Sequence, residues 1–198
     1  MVDGMTIKYD FDVLVEGLTS FFSEKNTKEK MSGFLRKDTN DWEKWLQIEL
    51  EYHLEFHHNH VVKREVMAKA DGRSKSGRLH MYVDLLIRKR MTRKDHYMYV
   101  ELKVDNSPTE VLDSLIEDSY KLGTIVNSHF DLTNQKLRSY WCVGFYQQHS
   151  LKLKAKVDKI LKENFAPYQP VFHDEINLCK CRGSNHQGDC KKLGMIII

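Results

Sequence analysis

Gly77 to Val104 reads GRLHMYVDLLIRKRMTRKDHYMYVELKV, and its pattern decides the fold. Two runs of alternating β-branched and aromatic residues, His80 to Ile87 and Tyr97 to Val104, flank a basic segment with no apolar period, which predicts a β-hairpin. Side chains alternate across a strand, so Met81, Val83, Leu85 and Ile87 are expected on one face, with His80, Tyr82, Asp84 and Leu86 on the other. In the second run Met98, Val100, Leu102 and Val104 share a face opposite Tyr97, Tyr99, Glu101 and Lys103. Asp84, Glu101 and Lys103 thereby fall among tyrosines and Leu86 on a second apolar face. A carboxylate there is destabilising by several kcal/mol unless a cation compensates it, so the pattern points to a metal site with an attendant lysine. The alternative is a set of cross-strand ion pairs on a solvated face.

Upstream, Phe11 to Phe22 and Asn26 to Arg36 have helical spacing and read as packing elements. The segment NDWEKWLQIELEYHLEFHH, from Asn40, predicts a helix with Asn40 as N-cap and Glu43 reaching back to it. Its apolar stripe is Trp42, Trp45, Leu46, Leu50 and Leu54. Glu49 lies within that stripe and needs a partner: either the site of Asp84 and Glu101, or a lysine or histidine such as His53. Val61 to Ala68 reads as a strand, and Asp71 to Gly77 as the turn into the hairpin.

Downstream, Ser107, Pro108, Thr109 and Glu110 form a capping box with proline at the first helical position. Val111, Leu112, Leu115, Ile116 and Leu122 give that helix its buried stripe. A strand from Leu137 to Tyr146 follows, and a strand, helix, strand connection of this length predicts a right-handed crossover to a parallel neighbour. Ser150 to Phe165 is an amphipathic helix. After Pro167 and Pro170, Val171 to Leu178 and Met195 to Ile198 read as two strands around a cysteine-bearing loop. The expected organisation is a main domain over residues 1–166, its core at about 40–146, and a small C-terminal β-hairpin-like extension over 167–198.

With 198 residues, 41% of them hydrophobic, the chain can bury a full core as one domain. The 31 basic and 28 acidic residues nearly balance at +3, so basic surface for nucleic acid must be local. Neither a membrane-length apolar run nor an export-type N-terminus is present, and an intracellular, cytoplasmic protein is expected.

Taken together, a helix with a glutamate, three antiparallel strands with Asp84 on the second and Glu101-Leu102-Lys103 on the third, a capped helix and a parallel strand resemble the PD-(D/E)XK nuclease superfamily. The likeness covers Asn40 to about Tyr146 and implies an α/β (α+β) restriction-endonuclease-like αβββαβ core with a mixed central sheet. It also implies a Mg²⁺- or Mn²⁺-dependent nuclease, with Asp84 and Glu101 as acids, Lys103 as the motif lysine and Glu49 as the helical glutamate. Asp84, Glu101, the Leu102 carbonyl and Glu49 would be the metal ligands. Val83 stands where the family name has proline. DNA is the favoured partner over RNA, no membrane is involved, and a homodimer is compatible with the pattern. The rival reading is a non-catalytic nucleic-acid-binding or protein-interaction module that keeps the fold.

Three further groups stand out. Cys179, Cys181, His186 and Cys190 have the ligand number for a Cys₃His Zn²⁺ site, although the Cys-x-Cys spacing is short; reduced thiols in a loop are the alternative. His53, His57, His58 and His60 cluster at the end of the glutamate helix, either as surface and packing residues or as metal ligands. The basic segments Arg73 to Arg78 and Arg88 to Lys94 are candidates for phosphate contact or solvated loops.

Overall fold

The computed structural model describes residues 4–37, 42–69, 80–125, 136–148, 151–165, 169–179 and 191–198. In chain order the elements are α1 (Gly4–Ser23), α2 (Lys25–Lys37), α3 (Glu43–Phe56), β1 (His60–Lys69), β2 (His80–Lys89), β3 (His96–Asp105), α4 (Pro108–Ile125), β4 (Lys136–Gln148), α5 (Leu151–Asn164), β5 (Phe172–Asn177) and β6 (Lys192–Ile197). Local chemistry accounts for several of their ends. At the start of α4 the Ser107 hydroxyl accepts the Glu110 N–H at 3.4 Å, while the Ser107 N–H donates to Asp105 Oδ1 at 2.9 Å. The expected reciprocal cap is thus completed by Asp105 in place of the Glu110 side chain. Helix α3 begins at Glu43 behind Trp42, with no side-chain cap bond, and Asn40 lies outside the described residues.

The strands form one mixed sheet in the order β1-β2-β3-β4-β6-β5. β1, β2 and β3 are an antiparallel meander, and α4 carries the chain over to β4, which runs parallel to β3. The parallel β3–β4 pairing is the part of the crossover expectation that this topology bears out. On one face α1, α2 and α3 bury Leu18, Phe21, Met31, Leu46 and Leu50 against Leu85, Val100 and Val143. On the other, α4 and α5 bury Leu112, Leu115, Leu122 and Val157 against Leu86, Tyr99 and Cys142. Among the described residues no helix is long and apolar enough to cross a membrane.

The C-terminal strands, expected as a separate extension, belong to this sheet. β6 pairs with β4 through Val143–Ile197 to Gln148–Lys192, and β5 pairs with β6. Met195 and Ile197 enter one apolar cluster, Ile196 and Ile198 the other. An unbroken apolar run is the mark of a strand covered on both faces, which an appendage is not. Tyr146 lies across Gly194, where an added Cβ would stand 2.2 Å from its Cζ, and its hydroxyl is 2.6 Å from His173 Nε2. His173 Nδ1 is in turn 2.6 Å from Asp158 Oδ1, so a buried polar chain ties β4, β5 and α5 together.

Candidate functional site

β2 and β3 pair only from Leu85–Val100 to Ile87–Met98. Beyond that they part, and Asp84 lies at the fork. A backbone N–H left at such a fork needs an acceptor, and the Asp84 carboxylate supplies it: Leu102 N–H donates to Asp84 Oδ2 at 2.7 Å. The simple alternation expected for β2 fails at this point. Met81 and Val83 pack on the α4 side, while Leu85 and Ile87 pack on the α3 side. β1 turns over at the same level, with Val62 on the α3 side and Val66 and Ala68 on the α4 side. Between them Glu65 has φ 51°, flanked by the pairs Arg64–Leu85 and Val66–Val83. A left-handed glutamate costs about 1–3 kcal/mol and marks where both strands change face. β3 keeps its expected alternation, with Tyr97 and Tyr99 on the α4 side and Met98, Val100 and Leu102 on the other.

Asp84 also accepts a hydrogen bond from Gln47 Nε2 of α3 at 2.8 Å. Glu101 is 7% exposed and its carboxyl lies against that of Asp84. Burial, reinforced by the Asp84 charge, pushes the Glu101 carboxyl up to about 9. Burial raises Asp84 as well, against the opposing Leu102 N–H. Glu43 of α3 is raised by burial and by the Asp84 charge beside it. For Lys103, burial favours the neutral amine, but Asp118 of α4, at 3.1 Å, together with Glu43 and Glu101 raises its pKa overall. Asp118 is held in addition by Lys121 at 2.7 Å.

Glu43, Asp84, Glu101 and Asp118 therefore gather around Lys103, with Lys44 and Lys121 at the margin. The donor set is one of carboxylate oxygens, with the Leu102 carbonyl one residue along. Hard divalent cations are bound by such oxygens, and a cation there would offset the mutual repulsion of Asp84 and Glu101. The residues fit Mg²⁺ or Mn²⁺.

Of the four residues expected here, three converge and one does not. Glu49 Oε1 accepts from Lys30 Nζ at 2.6 Å and from Trp45 Nε1 at 3.1 Å, on the side of α3 that meets α2. At about 100° per residue, Glu43 and Glu49 are separated by about 120° around the helix: Glu43 falls in line with Leu50 and Leu54, and Glu49 falls beside Trp45, which packs on Phe34 of α2. Glu49 thus takes the lysine partner that the sequence left open, and Glu43 and Gln47 are the α3 residues that face Asp84. The Lys30 side chain is 37% exposed, which keeps the pair weak. Accordingly Glu49→Gln should leave any metal-dependent cleavage at the Asp84 cluster unchanged and lower stability by about 1 kcal/mol or less. Parallel melting curves and cleavage rates check this; loss of turnover at unchanged stability would return Glu49 to the site.

The sequence pattern hid Gln47, Glu43 and Asp118 for separable reasons. Glu43 was read as half of a helix cap. Gln47, three before Leu50 and seven before Leu54, and Asp118, three after Leu115, sit at stripe spacing, and that was the available signal. Cys179 is half-buried, while Cys181, His186 and Cys190 lie outside the described residues, as does the candidate zinc site they would form. The segment Arg73 to Arg78 lies outside them too. No known protein family, curated protein or solved structure matches the chain.

Proposed function

We propose that the protein is a metal-dependent nuclease with the architecture of the PD-(D/E)XK superfamily, hydrolysing phosphodiester bonds with DNA the favoured substrate. The observation that carries this reading is the pairing of the Asp84 and Glu101 carboxyls at the fork of two strands, with Lys103 two residues along β3. Asp84, Glu101 and the Leu102 carbonyl would hold a Mg²⁺ or Mn²⁺ ion. When bound, the ion supplies neutralisation of phosphate charge and stabilisation of the leaving oxygen.

The chain's own residues do the rest. Gln47 and the Leu102 N–H orient the two oxygens of Asp84, each taking one. Lys103 brings an ammonium that offsets phosphate charge and orients the attacking water, and Asp118 fixes where its Nζ stands. Glu43, its carboxyl raised by burial and by the Asp84 charge, stands as a further carboxyl beside Asp84 that can accept a proton. The test is incubation of purified protein with duplex DNA, single-stranded DNA and RNA in Mg²⁺, Mn²⁺ or EDTA. Cleavage with either ion and none in EDTA is expected. Binding without cleavage in every condition would make the chain a binding module.

A further inference from the structure

At the far end of α3 a second group of ligating side chains comes together, and it is built differently. We propose that Glu24, His53 and His57 form a separate site for a borderline transition ion, Zn²⁺ the best fit, which clamps the α1–α2 junction to the end of α3. Glu24 Oε1 is 2.9 Å from His53 Nδ1 and 3.9 Å from His57 Nε2, and one ligand atom from each residue lies within 4.8 Å of the others. Tetrahedral Zn²⁺ with bonds of about 2.0–2.2 Å sets its ligand atoms roughly 3.3–3.5 Å apart, between the two distances seen.

The backbone supports the chelate. His53 and His57 are four residues apart, the spacing that sets two imidazoles on one helix face where a single ion can reach both. His57 is the C-cap of α3, yet it keeps right-handed helical geometry (φ −98°, ψ −28°) and its N–H still donates to the His53 carbonyl. The two rings stack 4.9 Å apart. The other nitrogen of His53, Nε2, is 3.3 Å from the Ser20 hydroxyl of α1, an outer partner that fixes the ring with Nδ1 toward Glu24. Two imidazoles and one carboxylate favour zinc-like ions over the hard cations suited to the carboxylate cluster.

Two more imidazoles lie nearby. The His58 ring is 5.1 Å from that of His53 and 5.9 Å from that of His60. His60 is 4% exposed, and apart from the adjacent Asn59 backbone its ring nitrogens meet no partner among the described residues. A buried imidazole without a partner is costly in a structural role and is the feature expected beside a ligand site. The inference is independent of the nuclease reading.

The test uses the untagged full chain carrying Cys181→Ser, which takes one of its four ligands from the candidate C-terminal zinc site, and His57→Gln then separates the two sites. Equilibrium dialysis against Zn²⁺ with elemental analysis, alongside melting with and without Zn²⁺, should give about one ion per chain and a raised melting temperature. His57 is half exposed, so His57→Gln leaves the fold intact and should weaken binding roughly tenfold or more, with the melting shift lost. Asp84→Asn should change neither. No zinc bound by the Cys181→Ser chain, equal binding after His57→Gln, or binding lost with Asp84→Asn would each overturn the site.

Discussion

Asp84→Asn and Glu101→Gln are each expected to reduce metal-dependent cleavage by roughly 10²–10³-fold or more, while the melting temperature without divalent cation stays equal or rises. Ordinarily a substitution that removes activity from a buried position also removes stability. Here the native carboxylates are held against their preference. Glu101 has an ordinary value of 4.5 and is pushed up to about 9 in the fold. Because its folded pKa is the higher, its favourable contribution is complete below about 4.5 and is lost as pH rises through about 9. The wild-type chain in chelator should therefore lose stability steadily across that window, and Glu101→Gln should flatten the slope. Adding Mg²⁺ should restore stability to the wild type at the alkaline end and do little for the variant. Melting curves from pH 5 to 9 in EDTA and in Mg²⁺, paired with cleavage assays, decide the matter. Cleavage retained in either variant, or a slope unchanged by Glu101→Gln, would remove the pair from the catalytic site.

The hairpin, the crossover and the convergence of Asp84, Glu101 and Lys103 were legible because strand alternation and the Ser107-Pro108 helix start are local signals with a fixed period. What escaped was set by tertiary geometry. A period of two cannot foresee that Glu65 adopts a positive φ and turns two strands over, which places Met81 and Val83 away from Leu85. The choice between Glu43 and Glu49 hung on which part of the broad α3 stripe meets β2 and which meets α2. Since Glu49 fell inside the stripe beside Trp45, it drew the assignment, yet that part of the stripe faces Lys30 of α2. The C-terminal strands were set apart because the prolines at 167 and 170 suggested a boundary. Met195 to Ile198, apolar on both faces, carried the stronger signal that this segment lies inside a sheet.

Gly144→Ala should be the most damaging single-methyl change near the site, costing about 1–3 kcal/mol and disturbing catalysis without touching a catalytic group. Gly144 lies in β4 directly beside Lys103 of β3. Helix α4 rests on it so closely that an added Cβ would stand 2.3 Å from Val111 Cγ1 and 2.7 Å from Leu115 Cδ1. Both side chains are fully buried, so neither can swing aside into solvent, and the helix itself must move. Asp118 rides on α4 one turn beyond Leu115, so an outward shift lengthens its 3.1 Å contact with Lys103 and frees the ammonium from its set position. Val111→Ala removes the nearest obstructing atoms. Alone it should destabilise by leaving a cavity, but combined with Gly144→Ala it should restore stability and turnover toward the wild type. Asp118→Asn provides the comparison, since it weakens the hold on Lys103 while leaving the packing in place, and it should lower turnover with little change in melting. Urea unfolding of the two single variants and the double, with turnover measured well below each midpoint, tests the coupling. Simple additivity of the Gly144→Ala and Val111→Ala losses would mean that close packing of α4 on β4 does not position the lysine.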